Sequence, residues 1–274
     1  MTSPFHRWQL IGDFLRLVLI SCRVTNREAP VNCILVGPPG DGKTKMIMRG
    51  ADLKFMTTLA DMSYLGIVRL LPQVRDGYIS GIIIPDLATL VGRKMEVGRQ
   101  TIGMLARLCA EGVGPIAVGR QVKDFTGVRA TLISAVTPED LLDNWKVFNQ
   151  NAFLSRTFLL DFDLTQREIE AMSHRKNTGD RKLLETFHFH KSQANRAWKV
   201  RCSPRYAGKA IGWWKELLTS GKPAYAFRTV DAFTDLLRAS AFLHGRRTVI
   251  QQDVNYLTRF RSLWLNQFQK EKNQ

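Results

Sequence analysis

The residues with the most specific chemistry lie at 37–44 and read Gly-Pro-Pro-Gly-Asp-Gly-Lys-Thr. Glycines at this spacing let backbone N–H groups turn inward around phosphate oxygens. We expect the Lys43 ammonium to contact the β- and γ-phosphates of a nucleotide, and the Thr44 hydroxyl to bind Mg²⁺, which prefers oxygen ligands. The segment predicts a P-loop that binds ATP with Mg²⁺. The expected nucleotide-binding residues are Gly37, Pro38, Pro39, Gly40, Asp41, Gly42, Lys43, Thr44 and Lys45.

A second apolar run, 81–84, is followed by Pro85 and Asp86. In P-loop enzymes a strand of this kind lies beside the P-loop strand, and its terminal Asp holds the Mg²⁺ shell, often through water. Asp86 is therefore the predicted second metal-site residue, with Asp76 as a weaker alternative. An Asp that merely begins a turn after Pro85 would give the same pattern, so that interpretation stays open.

The residue after Asp86 is Leu87. Many ATPases of this kind have a glutamate there, which activates the attacking water. Two explanations remain open for this chain. Either another carboxylate serves, with Glu96 and Glu111 in the following region, or hydrolysis is slow and the protein acts as an ATP-gated switch.

These side chains must be positioned by a sheet. Short apolar, β-branched runs alternate with helical stretches, and this alternation predicts a parallel sheet with helices on both faces. The predicted fold class is α/β, a P-loop sheet flanked by helices and followed by a small helical domain. The predicted strands are 31–36, 81–84, 130–136 and 158–162. Helices are predicted over 10–22, 206–218, 230–244 and 252–266.

The chain divides into four predicted segments. An N-terminal helix and a linker occupy 1–28, and the nucleotide-binding α/β domain occupies 29–165. Residues 166–200 are polar and basic without a strong apolar period, which is typical of a connector. Residues 201–274 form the helical domain.

The charge is strongly basic and unevenly spread. Residues 1–165 hold 19 Lys and Arg against 15 Asp and Glu, whereas residues 166–274 hold 21 against 9. A polyanionic partner is the natural interpretation, nucleic acid first and an anionic membrane surface second, and a plainly solvated basic surface is the alternative. The four cysteines have no metal-ligand spacing, and no apolar stretch is long enough to span a membrane. We expect a cytoplasmic protein with reduced thiols.

The order of these motifs resembles the AAA+ ATPase family. The P-loop is followed by Ile-Ile-Ile-Pro-Asp at 82–86, Thr-Leu-Ile-Ser-Ala-Val-Thr-Pro-Glu at 131–139 and Phe-Leu-Ser-Arg-Thr-Phe at 153–158. The spacing is similar to one AAA+ module with a helical lid over 30–265. By this resemblance a polar residue at the end of a third strand orients the catalytic water. Thr137 matches best and Ser134 is second, although either is equally well a plain strand-end hydroxyl.

By the same resemblance, Arg156 is an arginine finger that reaches the γ-phosphate on a neighbouring subunit. A guanidinium there neutralises charge on the transferred phosphoryl group. The site would then be complete only in an oligomer. The alternative is a surface arginine paired to a nearby carboxylate such as Asp161 or Asp163.

The segment 237–254 resembles the lid of the MoxR and MCM branches of AAA+ proteins. Those lids carry a nucleotide-sensing arginine at the position where this chain has Asp231. Arg228 and Arg238 are the candidate substitutes, and Arg238 is included among the expected nucleotide-binding residues.

Residues 111–123 contain two short β-prone runs around Gly119, which predict a hairpin. A hairpin at this place in the MCM-like branch projects into a central pore and touches DNA. Arg120 and Lys123 are the DNA contacts that the resemblance implies. A hairpin that only caps the sheet is an equal alternative.

Together these features predict an ATPase that assembles as a ring or helical homo-oligomer, hexamer-like, with ATP at subunit interfaces. Nucleic acid is the first expected substrate, as for a helicase loader or a replication or mobile-element protein. The alternatives are a MoxR-like chaperone acting on protein partners and a weakly hydrolysing ATP-gated scaffold.

Overall fold

A computed structural model describes residues 6–92, 95–118, 121–150, 152–177, 187, 189–190, 193, 196–219 and 226–265. Within these residues one parallel sheet has five strands, in the spatial order β2-β3-β6-β1-β7. These strands are β1 (Cys33–Val36), β2 (Met56–Thr58), β3 (Gly81–Ile84), β6 (Thr131–Val136) and β7 (Phe158–Asp161). Two further strands, β4 (Ile116–Val118) and β5 (Gln121–Lys123), pair antiparallel as a separate hairpin.

Helices cover the sheet and continue beyond it. The first six are α1 (His6–Ser21), α2 (Lys43–Met48), α3 (Tyr64–Arg75), α4 (Met95–Leu108), α5 (Pro138–Asp143) and α6 (Trp145–Gln150). The later ones are α7 (Gln166–Asn177), α8 (Pro204–Thr219), α9 (Ala226–Leu243), α10 (Gln251–Thr258) and α11 (Arg261–Leu265). Short 3-10 turns follow β3 at Leu87–Leu90 and precede β7 at Leu154–Arg156.

The predicted parallel sheet with flanking helices is confirmed, but the neighbour assigned to the P-loop strand was wrong. The strand that ends at Asp86, β3, does not lie beside β1. Strand β6 lies between them, pairing Ile133 with Cys33 on one side and with Ile83 on the other. The consequence is that the end of β6 reaches the edge of the sheet between the P-loop and Asp86.

Two hydrophobic cores lie on opposite faces of the sheet because successive side chains of a strand alternate in direction. Cys33 and Leu35 of β1 belong to one core, and Ile34 and Val36 belong to the other. All four are completely buried, as expected for a central parallel strand.

Helix α1 is an integral part of the first core. Its side chain Phe14 meets the Phe158 ring of β7 at 5.7 Å and the Phe260 ring near the end of the chain at 5.6 Å. Phe158 in turn meets Phe233 of α9 at 5.7 Å. The first helix, the sheet and the C-terminal helices therefore share one aromatic cluster.

The segment predicted as a connector contains more structure than its polarity suggested. Its first part is the helix α7, and Phe187 is buried in the first core with the Arg49 guanidinium 4.3 Å from its ring centre. Trp198 stacks on Phe242 of α9 at 4.1 Å. The helix predicted over 252–266 is interrupted at 259–260, which separates α10 from α11.

Among the described helices, none has the length and apolar character needed to cross a membrane. All four cysteines are free thiols, and Cys22, Cys33 and Cys109 are buried.

Candidate nucleotide-binding site

The P-loop turns sharply away from the end of β1, and its glycines are required by geometry. A side chain at Gly37 would place its Cβ 2.3 Å from the carbonyl oxygen of Phe162, so only glycine fits beside β7. Gly40 and Gly42 have φ angles of 90° and 89°, in the left-handed region that favours glycine. Gly42 ends the loop and Lys43 begins α2.

Lys43 lies inside the loop that precedes it. Its ammonium group donates to the carbonyl oxygen of Gly37 at 2.6 Å and to that of Pro38, and the residue is only 8% exposed. Burial lowers the pKa of Lys43, and the negative charges of Asp41, Asp86 and Asp140 partly oppose this effect. The ammonium is thus held at the centre of the loop, where phosphate oxygens can replace the carbonyl partners.

Asp86 follows β3 at the same edge of the sheet. One oxygen of its carboxylate, Oδ1, accepts the N–H of Ala88 at 3.0 Å, which caps the 3-10 turn. Asp86 and Thr44 are both exposed, and the charge of Asp86 acts on Lys43 next to Thr44. A hydroxyl and one carboxylate suit Mg²⁺, which typically takes one or two carboxylates and fills its shell with water and phosphate oxygens. Thr44 and Asp86 are the residues that would hold it.

Thr137 follows the last residue of β6, the strand that lies between β1 and β3. The carbonyl of the preceding Val136 accepts the N–H of Gly37 at 3.3 Å, which joins the end of β6 to the start of the loop. The Thr137 hydroxyl donates to Oδ2 of Asp140 at 2.6 Å and accepts the Asp140 N–H at 3.1 Å. Ser134 is fully buried and donates to the carbonyl of Ile84 at 2.8 Å, so its hydroxyl is used inside the sheet.

The residue after Asp86 cannot activate an attacking water, because it is an apolar side chain. Leu87 is completely buried in the second core. Of the two carboxylates suggested by sequence, Glu96 is an exposed residue in the first turn of α4. Glu111 pairs with arginines before β6 begins, at the opposite edge of the sheet.

Asp140 is a carboxylate at this edge that sequence reasoning missed. A signal for it exists, because a threonine followed three residues later by an acid is the pattern of a helix cap in which the acid folds back toward the cap. Thr137 is indeed the N-cap of α5, and Asp140 lies in its first turn.

Arg156 lies at the opposite end of the strands from the P-loop, where β1 and β7 begin. The Asn32 side chain, just before β1, donates to the carbonyl of Arg156 at 2.9 Å, and Cys33 pairs with Phe158 at the start of both strands. The P-loop follows the end of β1, four residues and on the order of 13 Å away. The Arg156 guanidinium donates hydrogen bonds to both oxygens of Glu111 at 3.1 Å. Of the carboxylates suggested by sequence, Asp161 is opposite Val36 at the far end of β7, and Asp163 follows it.

The two arginines suggested as nucleotide sensors, Arg228 and Arg238, also lie away from the P-loop of their own chain. Arg228 bonds Glu111 and donates to the Ser155 hydroxyl at 3.3 Å, next to Arg156. Arg238 pairs with the buried Asp235 at 2.7 Å and with Glu28 at 3.6 Å, before β1 begins. The structure therefore does not bring Arg238 together with the residues of 37–44.

The predicted hairpin is present as β4 and β5. Lys123 is exposed, and the neighbouring Val122 is 73% exposed. Arg120 lies outside the described residues. The segments on either side of the hairpin meet at the bridge between Val113 and Val128, two residues from Glu111, the partner of Arg156.

The loop at the end of β1, the parallel sheet and the flanking helices define the fold of a P-loop NTPase. Among solved structures, the chain is similar to a full-length MCM homolog from Methanopyrus kandleri, with a TM-score of 0.51 and 15% sequence identity. The match covers 94% of this chain and 55% of the other, so the chain spans about half the length of that protein. At this identity the likeness shows a shared fold alone, and it gives no specific support to the MoxR branch. No protein-family model matches the sequence, and no curated protein matches it.

Proposed function

We propose that this protein is an AAA+ ATPase that binds ATP and Mg²⁺ in the P-loop, hydrolyses ATP at the interface between subunits and acts on nucleic acid. The observation that carries the proposal is the position of Lys43 and Arg156 at opposite ends of the parallel strands of one sheet. A residue that cannot reach the nucleotide of its own chain can still reach the nucleotide of a neighbour, if the P-loop end of that neighbour packs against the Arg156 end of the first subunit.

The P-loop side would bind the nucleotide. The backbone N–H groups of 37–44 and the Lys43 ammonium suit the β- and γ-phosphates, since both are fixed before the ligand arrives. Thr44 and Asp86 would hold Mg²⁺, which neutralises phosphate charge when bound. Thr137, at the end of β6, would help to orient a water molecule near the γ-phosphate.

The Arg156 side would complete the site in trans. An arginine finger stabilises charge on the transferred phosphoryl group, and losing one costs about 10³- to 10⁵-fold in turnover. Such head-to-tail contacts close into rings or continue as helices. A ring or helical homo-oligomer, hexamer-like, is therefore part of the proposal.

Nucleic acid is the proposed substrate because of the charge distribution and the hairpin. The C-terminal part presents many exposed cations, which suit a polyanionic backbone. They include Lys199, Arg201, Arg205, Lys209, Lys215 and Arg247. The exposed hairpin adds Lys123.

The test compares ATP turnover with and without DNA, and particle mass with and without ATP, in the wild type and Lys43→Ala. We expect ATP-dependent assembly and DNA-stimulated turnover in the wild type, and loss of nucleotide binding in the variant. Lys54→Ala is the matched control, because Lys54 is an exposed lysine outside the loop. A wild-type protein that does not bind Mg-ATP would refute the proposal.

One observation favours a second candidate, an ATP-gated scaffold with slow hydrolysis. The buried Leu87 removes the usual position of the water-activating carboxylate. A wild type that assembles with ATP but turns it over very slowly would support this candidate. Turnover stimulated by a protein and not by DNA would instead indicate a chaperone.

A further inference from the structure

The edge of the sheet that carries the P-loop contains three carboxylates whose charges act on Lys43. They are Asp41, Asp86 and Asp140. Asp41 belongs to the phosphate loop itself, and Asp86 is the residue proposed to hold Mg²⁺. Asp140 is the member of this set to which the proposed function gives no role.

Asp140 is held at the end of β6 and not left free in solvent. It is half-buried, and its Oδ2 accepts the Thr137 hydroxyl at 2.6 Å. Its own N–H is bound to the Thr137 oxygen, and its carbonyl accepts the Asn144 side chain at 2.9 Å. Both the backbone and the carboxylate of Asp140 are therefore fixed relative to the strand.

Strand β6 ends at the part of the sheet where the γ-phosphate is proposed to bind. Val136, one residue before Thr137, is bonded through its carbonyl to Gly37 at the start of the P-loop. Strand β6 also lies between the strands that end at the P-loop and at Asp86. The Asp140 carboxylate is tied to the end of this middle strand, and its charge acts on Lys43. We expect the attacking water at this end of the strand, between the phosphates and the metal ligand.

We propose that Asp140 is the general base of ATP hydrolysis in this protein, in place of the carboxylate that Leu87 excludes. In this step the water oxygen forms a bond to the γ-phosphorus while a proton of that water passes to Asp140. The bond from the γ-phosphorus to the bridging oxygen breaks, and its electron pair leaves with ADP. Asp140 then returns the proton to solvent. Thr137 is the positioning residue, since it acts through Asp140.

This inference rests on the proposed ATPase function and is tested with Asp140→Asn. Asparagine keeps an oxygen that accepts the Thr137 hydroxyl, so the start of α5 is preserved while the base is lost. We expect kcat to fall by about 10²-fold or more, the usual contribution of a general base. Binding of a fluorescent ATP analogue should stay within about threefold of the wild-type Kd, because only a transition-state interaction is removed.

Glu139→Gln is the matched control, because Glu139 is an exposed acid in the same first turn and the substitution makes the same change of charge. It should leave kcat and Kd unchanged. Thr137→Val should lower kcat with little effect on Kd, and Thr137→Ser should restore it, because the serine hydroxyl can make the same hydrogen bond. Thermal unfolding of each variant establishes that it is folded, and the Thr137 pair tests the idea even if Asp140→Asn does not fold.

The outcomes separate this inference from the function on which it rests. If Asp140→Asn binds and hydrolyses ATP like the wild type, or loses binding and turnover in parallel, Asp140 is not the base. If the wild type binds ATP without hydrolysing it, the base and the ATPase activity are both refuted while nucleotide binding stands. If the wild type does not bind ATP, the proposed function itself fails.

Discussion

Glu111 holds Arg156 through both of its carboxylate oxygens, each 3.1 Å from Nη2 of the arginine. Arg228, in α9, also donates a hydrogen bond to this carboxylate. Burial acts to raise the pKa of Glu111, but its hydrogen bonds and the two arginine charges outweigh this effect and leave the pKa lowered. Two guanidinium groups thus converge on one anion at the edge of the sheet opposite the P-loop.

We expect Glu111→Gln to ease ATP-dependent assembly, because Arg156 must leave this carboxylate to reach a neighbour's phosphate. The Glu111 side chain is 55% exposed and the Arg156 side chain 13%, and an ion pair open to solvent on one side is worth about 1 kcal/mol. The ATP concentration for half-maximal assembly should therefore fall by about two- to fivefold. Sedimentation with a non-hydrolysable ATP analogue measures the change.

Glu216→Gln provides the control for Glu111→Gln, since it removes a similarly exposed ion pair, to Arg261 at 2.9 Å, far along the chain. It should leave the assembly midpoint where it is. Weaker assembly in Glu111→Gln would mean that Glu111 positions Arg156 for the neighbour and does not compete with it.

Arg156→Ala and Lys43→Ala should each be inactive alone and partly active when mixed. In a mixed oligomer some sites combine an intact P-loop from one subunit with an intact Arg156 from the next. Steady-state ATP turnover across a series of mixing ratios measures this effect. No recovery at any ratio, in particles shown to contain both variants, would exclude a shared site.

The stability of the protein should fall as the pH rises from about 4 to about 6, through the contribution of Asp235. Burial, opposed by the hydrogen bond from Arg238, raises the pKa of Asp235 from 3.8 to about 6. The folded state then binds more protons than the unfolded state between these values, so the contribution is present at low pH and lost above the folded pKa. The effect is on the order of 3 kcal/mol.

Chemical denaturation of the wild type and Asp235→Asn across this pH range tests the assignment. The difference between their unfolding free energies should depend on pH only within that window. A difference that is the same at pH 4 and pH 7 would show that Asp235 does not titrate there.

Lys123→Ala should reduce the salt dependence of DNA binding if the hairpin contacts the phosphate backbone. Removing one phosphate contact lowers the slope of log Kobs against log salt by about one. Fluorescence anisotropy with random-sequence DNA over a range of salt concentrations gives this slope. An unchanged slope, equal to that of Lys54→Ala, would indicate that the hairpin only caps the sheet.

The sequence predicted the parts of the fold that local pattern determines. The runs that became β1, β3, β6 and β7 were identifiable because each is a buried, β-branched segment between turns. Strand β2 was missed, since Met56–Thr58 is three residues long and carries no apolar run. The position of β6 between β1 and β3 depends on pairing between distant segments, which no local pattern records.

In the candidate site too, features formed by consecutive residues were predictable, and contacts between distant segments were not. The P-loop was predictable because its glycines and its lysine are consecutive in the chain. The partner of Arg156 was not, because Glu111 lies 45 residues away in the sequence and was considered only as a substitute base. Asp140 was not predicted, because it is brought to the P-loop end of the sheet only by the pairing of β6 between β1 and β3.

Helix α1 contacts the phosphate loop with its first turn and the C-terminal helices with its middle. Its residue Trp8 lies 3.4 Å from where a Cβ on Gly42 would stand, so the helix abuts the phosphate loop. Farther along, Asp13 pairs with Arg259 at 3.6 Å and Phe14 packs on Phe260, both near the end of the chain. A nucleotide that displaces the loop would press on Trp8, so α1 connects the phosphate loop with the C-terminal helices as well as with the sheet.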